Sequence, residues 1–332
     1  MSVPVISFFS TKGGVGKTFL TYHTAWMLAE LGYRVLMADL DPQSNLSAAC
    51  LTEDRLIELS QQNRRSSTIY GAVVPLSSGI EDVRAPWLET VASNLSLIPG
   101  DIALFDFERD LSQAWYRCMV NDRRALYVLS AFARVLQKGA TQCAADVVLM
   151  DLAPNLGAIN RAALIAVDSV VIPVGPDLFS IQGLQILGTG LRSLREEWRE
   201  CLARHPNFEV TLPEGRMNPI GYAVMNQSAR HGRMPLSYQA WATRIPAAYR
   251  QYVIGQNDAP DVSTNDEENC LSVIKQYHSL MPMAQEARKP MFDLKPSDGA
   301  LGALSKATQD AYHDFKQLAV KIIQRAGLQK RS

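Results

Sequence analysis

The chain has 332 residues, of which 47% are hydrophobic and 20% are charged, so it can bury a large core. Its 33 basic and 33 acidic residues balance, and the overall charge gives no reason to expect nucleic acid, a membrane or an acidic ligand. The five cysteines stand far apart without a C-x-x-C pair, which argues against an iron–sulfur or zinc site and against a disulfide framework.

Neither a membrane span nor a signal peptide is predicted. No apolar run reaches the roughly 18 to 20 residues that a spanning helix needs. The N-terminus lacks a charged region followed by an apolar stretch and a cleavage site. The sequence therefore predicts a cytoplasmic protein in a reducing compartment, without membrane binding.

Apolar, β-branched runs alternate with helical stretches along the chain. Residues 3–9 form the first such run, and residues 18–31 then place apolar side chains near helical spacing and stop at Gly32. The runs predicted as strands, in chain order, are 3–9, 34–38, 146–150, 168–174 and 220–225. Strands separated by helices predict an α/β fold with a doubly wound, mainly parallel sheet flanked by helices.

The chain is predicted to form one domain, residues 1–332, with two elaborations. Residues of about 52–94 are polar and carry turn signals, and residues of about 205–270 contain few strands that could belong to a core. Neither stretch fits the repeat of strand and helix. We therefore expect helical or irregular additions there, within the same domain.

A glycine-rich loop follows the first predicted strand and precedes the first helix. From Ser10 to Thr18 it reads S-T-K-G-G-V-G-K-T, in the strand–loop–helix context that a P-loop requires. Its glycines let backbone N–H groups converge on phosphate oxygens, Lys17 neutralises the terminal phosphates, and the Thr18 hydroxyl can bind Mg²⁺. The predicted nucleotide-binding residues are Gly13, Gly14, Val15, Gly16, Lys17, Thr18 and Phe19.

This loop resembles that of the ParA/MinD (Soj-like) family of deviant Walker A P-loop ATPases, K-G-G-x-G-K-T, at every fixed position. The resemblance implies a P-loop NTPase fold, a homodimer in the ATP state and hydrolysis of ATP to ADP. It also implies that Lys12 reaches the phosphates of a second protomer in trans, as an arginine finger does, so Lys12 and Lys17 both count as catalytic. Thr11 and Phe19 stand where the family often has glutamine and threonine, which puts the nucleotide affinity and the rate in question.

Carboxylates follow two of the predicted strands. Asp39 and Asp41 lie in a segment that resembles the family's D-x-D-P-Q-x-N, and Asp151 begins one that resembles its Walker B and switch II segment, D-x-x-P-x-L-G. The resemblance implies that Asp41 is catalytic and positions the attacking water, and that Asp39 supports the Mg²⁺ ligands. Asp151 and Thr18 would hold the metal. Asn226 stands where relatives contact adenine, although an Asn at a strand end is also a common turn former.

Basic and aromatic residues interleave between Met217 and Asn257, a stretch without Asp or Glu. This composition suits a nucleic-acid surface, a protein interface, or a small core with solvated arginines. Five acidic residues follow between positions 258 and 268 and could pair with the arginines. The candidates for contact with a protein partner or with nonspecific DNA are Arg230, Arg233, Arg244 and Arg250.

The C-terminal stretch is predicted to form a last helix. Its apolar residues at helical spacing are Tyr312, Phe315, Ala319, Ile322 and Ala326. Because this apolar face is small and contains neither Trp nor a leucine cluster, we expect the helix to pack on the sheet and not on a membrane.

Taken together, the motifs predict an ATP-dependent dimerisation switch for partition of DNA, plasmids or chromosomes, or for positioning of a cargo. It would use ATP/ADP and Mg²⁺, bind nonspecific DNA as the ATP dimer, and respond to a stimulating protein. The alternative is a regulatory or assembly ATPase that acts on a protein and not on DNA. A metabolic P-loop enzyme or a metal-cluster carrier is a third reading, which the absence of C-x-x-C and of a substrate motif disfavours.

Overall fold

The structure is a computed structural model that describes residues 2–78, 82–206, 208–226, 236–256, 268–275, 277 and 279–331. Within those ranges, the structure does not describe the side chains of residues 62, 63, 78, 226 and 236–238. The strands are β1 (Val5–Phe8), β2 (Val35–Asp39), β3 (Glu89–Ala92), β4 (Leu95–Ile98), β5 (Val147–Asp151), β6 (Ser169–Val174), β7 (Asn218–Asn226) and β8 (Cys270–Lys275).

Fourteen α-helices lie in the described ranges. They are α1 (Lys17–Glu30), α2 (Asn45–Cys50), α3 (Glu53–Ser60), α4 (Ile69–Val73), α5 (Pro75–Ser78), α6 (Leu104–Met119), α7 (Arg123–Leu129), α8 (Ala131–Gln142), α9 (Ala158–Leu164), α10 (Leu178–Ala203), α11 (Leu236–Ala242), α12 (Ile245–Ala248), α13 (Met281–Ala287) and α14 (Ala303–Ala326). Short 3₁₀ helices cover Gln62–Ser67, Met291–Asp293 and Pro296–Asp298, and a π-helix covers Tyr249–Ile254.

The eight strands form one sheet in the order β3-β4-β2-β5-β1-β6-β7-β8. All neighbouring strands run parallel except β3 and β4, which are antiparallel. The carboxyl ends of β2, β5 and β1 therefore meet at one edge, where α/β sheets bind ligands. In the register of β2 and β5, Asp39 lies opposite Asp151.

Apolar side chains pack on both faces of the sheet. Within β5, Val148 and Met150 join the core beneath α6 to α10, whereas Val147 and Leu149 join the core beneath α1 and α14. This alternation follows from the two-residue period of a strand. It explains why the predicted strands read as nearly continuous apolar runs, since a parallel sheet is buried on both sides.

The predicted α/β class and doubly wound sheet are confirmed, with β3, β4 and β8 added to the predicted strands. The first elaboration, residues 52–94, contains short helices and the antiparallel edge strand β3. In the second, residues 205–270, β7 belongs to the main sheet and the described aromatic residues include core residues. Tyr249 is fully buried, and its ring lies 5.0 Å from that of Tyr222.

The last helix packs on the sheet, as the sequence predicts. In α14 the residues Phe315, Ala319 and Ile322 are fully buried in the core that α1 and β8 share. Among the described residues, no helix has both the length and the apolar character needed to cross a bilayer.

One cysteine pair was not predicted. A disulfide joins Cys118 of α6 to Cys201 of α10, whose Cα atoms lie 5.7 Å apart although 83 residues separate them in sequence. The pairing comes from the packing of α6 against α10, and spacing along the chain contains no signal for it. The sequence argued against a disulfide framework. The structure corrects this expectation, because it contains the bridge between Cys118 and Cys201.

The imidazole of His23 is buried where α1 meets the C-terminal part of the chain. Its Nδ1–H donates to the carbonyl of Phe19 at 2.9 Å, and the backbone N–H of Met291 donates to its Nε2 at 3.2 Å. The ring also stacks on Phe315, with the centroids 4.9 Å apart. Burial lowers the pKa of His23 to about 4, so the ring is neutral in the folded protein.

Acid is expected to destabilise the protein through His23. Because an unfolded His has a pKa of about 6.5, the unfolded state gains a proton first and stability falls with pH below that value. From pH 7.5 to pH 5 the loss from this residue should be about 2 kcal/mol of unfolding free energy. Urea unfolding at both pH values measures it. The variant His23→Gln keeps a donor and an acceptor but does not titrate, and an equal loss in both proteins would exclude this role.

Candidate functional site

The P-loop connects β1 to α1 in a conformation that requires glycine. Gly14 and Gly16 have φ values of 71° and 81°, in the left-handed region that other residues rarely adopt. A Cβ at Gly16 would also lie 2.9 Å from the Met225 Cε atom. No side chain among the described residues caps the N-terminus of α1, which leaves its first backbone N–H groups available to an anion.

Lys17 is the first residue of α1, and its side chain is buried beside the loop. Its ammonium donates to the carbonyl of Lys12 at 3.4 Å. Burial lowers the pKa of Lys17, and the nearby carboxylates of Asp151 and Asp41 oppose that shift. Among the described residues, Lys17 forms no ion pair within 4 Å, and such a buried cation suits a site whose ligand brings negative charge of its own.

Asp151 stands at the end of β5 against the loop. The Thr18 hydroxyl donates to its Oδ2 at 2.6 Å, whereas its Oδ1 is buried without a hydrogen-bond partner among the described residues. Burial raises the pKa of Asp151 to about 7, against the effect of the Thr18 hydrogen bond. An unsatisfied carboxylate oxygen beside a threonine hydroxyl fits a hard divalent cation such as Mg²⁺.

Asp39 is fully buried at the end of β2 and is held from both sides. Its Oδ2 accepts hydrogen bonds from the backbone N–H and the hydroxyl of Ser47, at 2.8 and 2.7 Å, and its Oδ1 accepts one from the N–H of Asp41 at 3.3 Å. Burial raises the pKa of Asp39 to about 8, and the charge of Asp151 adds to the shift. With both oxygens engaged, Asp39 fixes the segment that carries Asp41 and supports any metal only indirectly.

Asp41 lies on the wall of a cavity of about 710 Å³ together with the loop residues. Its Oδ1 accepts a hydrogen bond from the N–H of Gln43 at 2.9 Å. The cavity is lined by Gly13, Gly14, Gly16, Lys17, Thr18, Phe19, Tyr22, His23, Asp41, Gln43, Asn45, Ala48, Ala49, Pro154, Met281, Ala284 and Gln285. The structure therefore brings the Asp41 carboxylate and the glycine-rich loop to one cavity, and the role of Asp41 toward the attacking water stays a prediction.

Lys12 does not share the position of Lys17. Its ammonium donates to Asp177 Oδ2 at 2.6 Å and to Ser180 Oγ at 3.3 Å, at the start of α10. Sequence reasoning missed Asp177. A signal was present, because an Asp directly before a helical stretch is an N-cap residue, which places the Asp177 carboxylate at the start of α10, in the loop after β6.

The cavity is also lined by residues of α13, which the sequence analysis did not connect with the site. Met281 and Gln285 of α13 line it together with Phe19 of α1. The Phe19 ring packs 4.5 Å from that of His23, so this departure from the family pattern has a place in an aromatic cluster. Asn226 is the last residue of β7, but its side chain lies outside the description, and its adenine contact stays a prediction.

The four candidate arginines are described only in part. Arg230 and Arg233 lie outside the described residues. Arg244 is exposed, with its guanidinium 4.7 Å from the centroid of the Trp241 ring, and Arg250 is half-buried in the π-helix. The described part thus includes one exposed stacked arginine, which is compatible with each of the three interpretations of this stretch.

The chain matches a known protein family and is similar to several known proteins. A family model described as an AAA domain matches residues 3–203. The cell division protein PomZ of Myxococcus xanthus is 32% identical over 199 residues, which cover 59% of this chain and 53% of PomZ. The sporulation initiation inhibitor protein Soj of Bacillus subtilis is 32% identical over 229 residues, which cover 69% of this chain and 80% of Soj.

The chain spans about half the length of PomZ, so PomZ is compared over that part alone. Among solved structures, protein DIP2308 of Corynebacterium diphtheriae superposes with a TM-score of 0.73 at 19% identity, covering 97% of this chain and 98% of that one. At this identity the likeness concerns the fold. The two chains share this fold over nearly their whole length, including the residues of this chain after 203, where the family match ends.

Proposed function

The chain belongs to the ParA/MinD-like AAA-domain family of P-loop ATPases, and on that premise we propose that it is a dimerisation switch driven by ATP. In the proposed cycle ATP closes two protomers face to face, the dimer binds a scaffold, and hydrolysis to ADP releases it. Partition of DNA or positioning of a cargo is the role we infer for such a cycle. The observation that carries the proposal is the separation of the two loop lysines.

From that separation we infer different tasks for the two cations. The Lys17 ammonium lies inside the loop, where it would neutralise the phosphates of the nucleotide in its own protomer. The Lys12 ammonium lies outside the loop, on α10. A cation outside its own cradle is suited to reach the nucleotide of a second protomer, where it would stabilise the charge of the transition state.

The geometry at the strand ends supports roles for the remaining groups of the site. Asp41 would hold and orient the attacking water, and Asp39 would keep the Asp41 segment in place by accepting hydrogen bonds from the N–H groups of Asp41 and Ser47. Thr18 and Asp151 would bind Mg²⁺, which supplies charge neutralisation at the phosphates when bound. The N–H groups at Gly13 to Gly16 would bind phosphate oxygens.

A second candidate concerns the partner. The stretch from Met217 to Asn257 combines exposed Arg244, stacked on Trp241, with the buried Tyr249, so part of its aromatic content serves the core. The buried Tyr249 is therefore not available to stack on nucleic-acid bases. An ATPase module that binds a protein and not DNA is therefore the alternative.

The proposal is tested with an Asp41→Ala variant, which should bind ATP but hydrolyse it slowly. We expect this variant to be a dimer in ATP and a monomer in ADP by light scattering, and to retain duplex DNA only in ATP. Retention should weaken with salt, because phosphate contacts release counterions. Asp54→Ala, which removes an exposed carboxylate from α3, should behave as the unmodified protein does.

Two other outcomes of this experiment would change the proposal. A dimer that forms in ATP but does not bind DNA even at low salt would support the dimerisation switch. It would exclude DNA binding and favour the alternative, an ATPase that binds a protein. A chain that stays monomeric in ATP, in Asp41→Ala and in the unmodified protein alike, would overturn the dimerisation switch.

A further inference from the structure

The side chain of Lys12 is held by the first turn of α10 within its own protomer. Its ammonium contacts Asp177 Oδ2 at 2.6 Å and Ser180 Oγ at 3.3 Å, and 165 residues separate the lysine from the aspartate. None of the P-loop chemistry assigned above uses these two residues.

The acceptor for Lys12 is built into the helix start. Asp177 is the N-cap of α10, and its Oδ1 accepts a hydrogen bond from the N–H of Ser180 at 2.9 Å. Its Oδ2 accepts one from the Ser180 hydroxyl at 3.1 Å, and the N–H of Gly175 donates to that hydroxyl oxygen at 3.1 Å. The carboxylate is thus fixed in place before Lys12 arrives, so the lysine meets a preorganised partner.

The contact is also weak enough to break. The Lys12 and Asp177 side chains are 30% and 38% exposed, and water screens an ion pair of that kind. A bias of about two- to fivefold toward the bound position is what such a pair supports. A triphosphate on an approaching protomer carries more negative charge than one carboxylate and would compete for the same ammonium.

The turn that holds Lys12 also carries exposed apolar side chains. Leu178 and Phe179 follow Asp177 directly and are 44% and 68% exposed. A protomer that came close enough to receive Lys12 would cover this turn. Release of Lys12 and burial of Leu178 and Phe179 would then occur together.

We propose that Asp177 and Ser180 are positioning residues that hold the Lys12 ammonium in cis in a free protomer and restrain its transfer to a second copy. The contact would thereby keep hydrolysis low until two protomers meet. The functional part of this inference rests on the proposed dimerisation switch. The cis contact itself does not, and the experiment separates the two.

The test uses Asp177→Asn, which keeps an N-cap acceptor but removes the charge. Without nucleotide, acetylation of Lys12 by acetic anhydride, mapped by mass spectrometry against Lys138 as internal reference, should become about two- to fivefold faster. With ATP, basal hydrolysis and the dimer fraction should rise by a similar factor. The double variant Lys12→Ala/Asp177→Asn should show no gain over Lys12→Ala.

Asp122→Asn is the matched control, because Asp122 caps α7 in the same way through the N–H of Arg124 but holds no lysine among the described residues. It should change neither readout. Unchanged acetylation of Lys12 in Asp177→Asn would overturn the cis contact, whatever the oligomeric state. Faster acetylation together with hydrolysis reduced as far as in Lys12→Ala would overturn the restraint, because Asp177 would then assist the reaction. If the unmodified protein stays monomeric in ATP, the dimerisation switch is wrong, and acetylation alone decides the contact.

Discussion

Mixing the Lys12→Ala and Asp41→Ala proteins should restore ATP hydrolysis that neither variant performs alone. Each variant by itself is expected to lose about 10³-fold in rate, the lower end of the effect of a finger residue. In a mixed dimer, however, the site with an intact Asp41 receives its Lys12 from the other protomer. That site is complete if Lys12 acts in trans.

The size of the recovery is also predicted. Random pairing of equal amounts makes about half of the dimers mixed, and each mixed dimer has one complete site of two, so about one quarter of the original rate should return. The proteins are mixed before ATP is added, because Asp41→Ala dimers would otherwise exchange slowly. Phosphate release under single-turnover conditions measures the rate.

Lys17→Ala mixed with Asp41→Ala is the control for this experiment. Both of those residues serve the nucleotide of their own protomer, so every site in that mixture has a defect and no activity should return. If the Lys12→Ala and Asp41→Ala mixture also stays inactive, Lys12 acts in cis. Normal hydrolysis by Lys12→Ala alone would remove Lys12 from the mechanism altogether.

The Lys17→Ala variant should bind ATP about 10² to 10⁴-fold more weakly than the unmodified protein. This range corresponds to the loss of two hydrogen bonds from an ammonium to phosphate, at about 1.5 to 3 kcal/mol each. Calorimetric titration with ATP and Mg²⁺ measures the change. Lys138→Ala, which removes an exposed lysine from α8, should leave the affinity unchanged.

Loss of binding must be distinguished from loss of the fold. Burial lowers the pKa of Lys17, which indicates that its charge is costly in the free protein. Removing that charge should therefore leave the thermal stability of the nucleotide-free protein equal or higher. An ATP affinity within threefold of the original, measured by calorimetry, would contradict the role of Lys17.

Several parts of the site were readable from the sequence because they depend on neighbours along the chain. The spacing of glycines and Lys17 places a phosphate loop at the start of α1, whatever the rest of the molecule does. Likewise, Asp39 and Asp151 each follow an apolar run, so each is expected at a strand end. The family resemblance rested on these local motifs, and the family match confirms it.

Other elements were missed because their sequence signals are short or are compatible with more than one structure. The four residues of β4 form too short a run to distinguish from a turn, and β3 pairs with it only at the sheet edge. The polarity of residues 52–94 was compatible with loops or with exposed helices. The composition near Tyr249 suited a contact surface and a small core alike, and the structure places Tyr249 itself in the core.

The sequence by itself determined the family, the phosphate loop and the carboxylates that follow the strands, since each depends on residues within a few positions of one another. The tertiary structure alone decided which distant groups meet. Asp39 faces Asp151 because β2 and β5 are neighbours in the sheet, and Lys12 meets Asp177 because β1 and β6 are neighbours. Such contacts arise from the order of strands and the packing of helices between segments far apart in the chain, which no local pattern encodes.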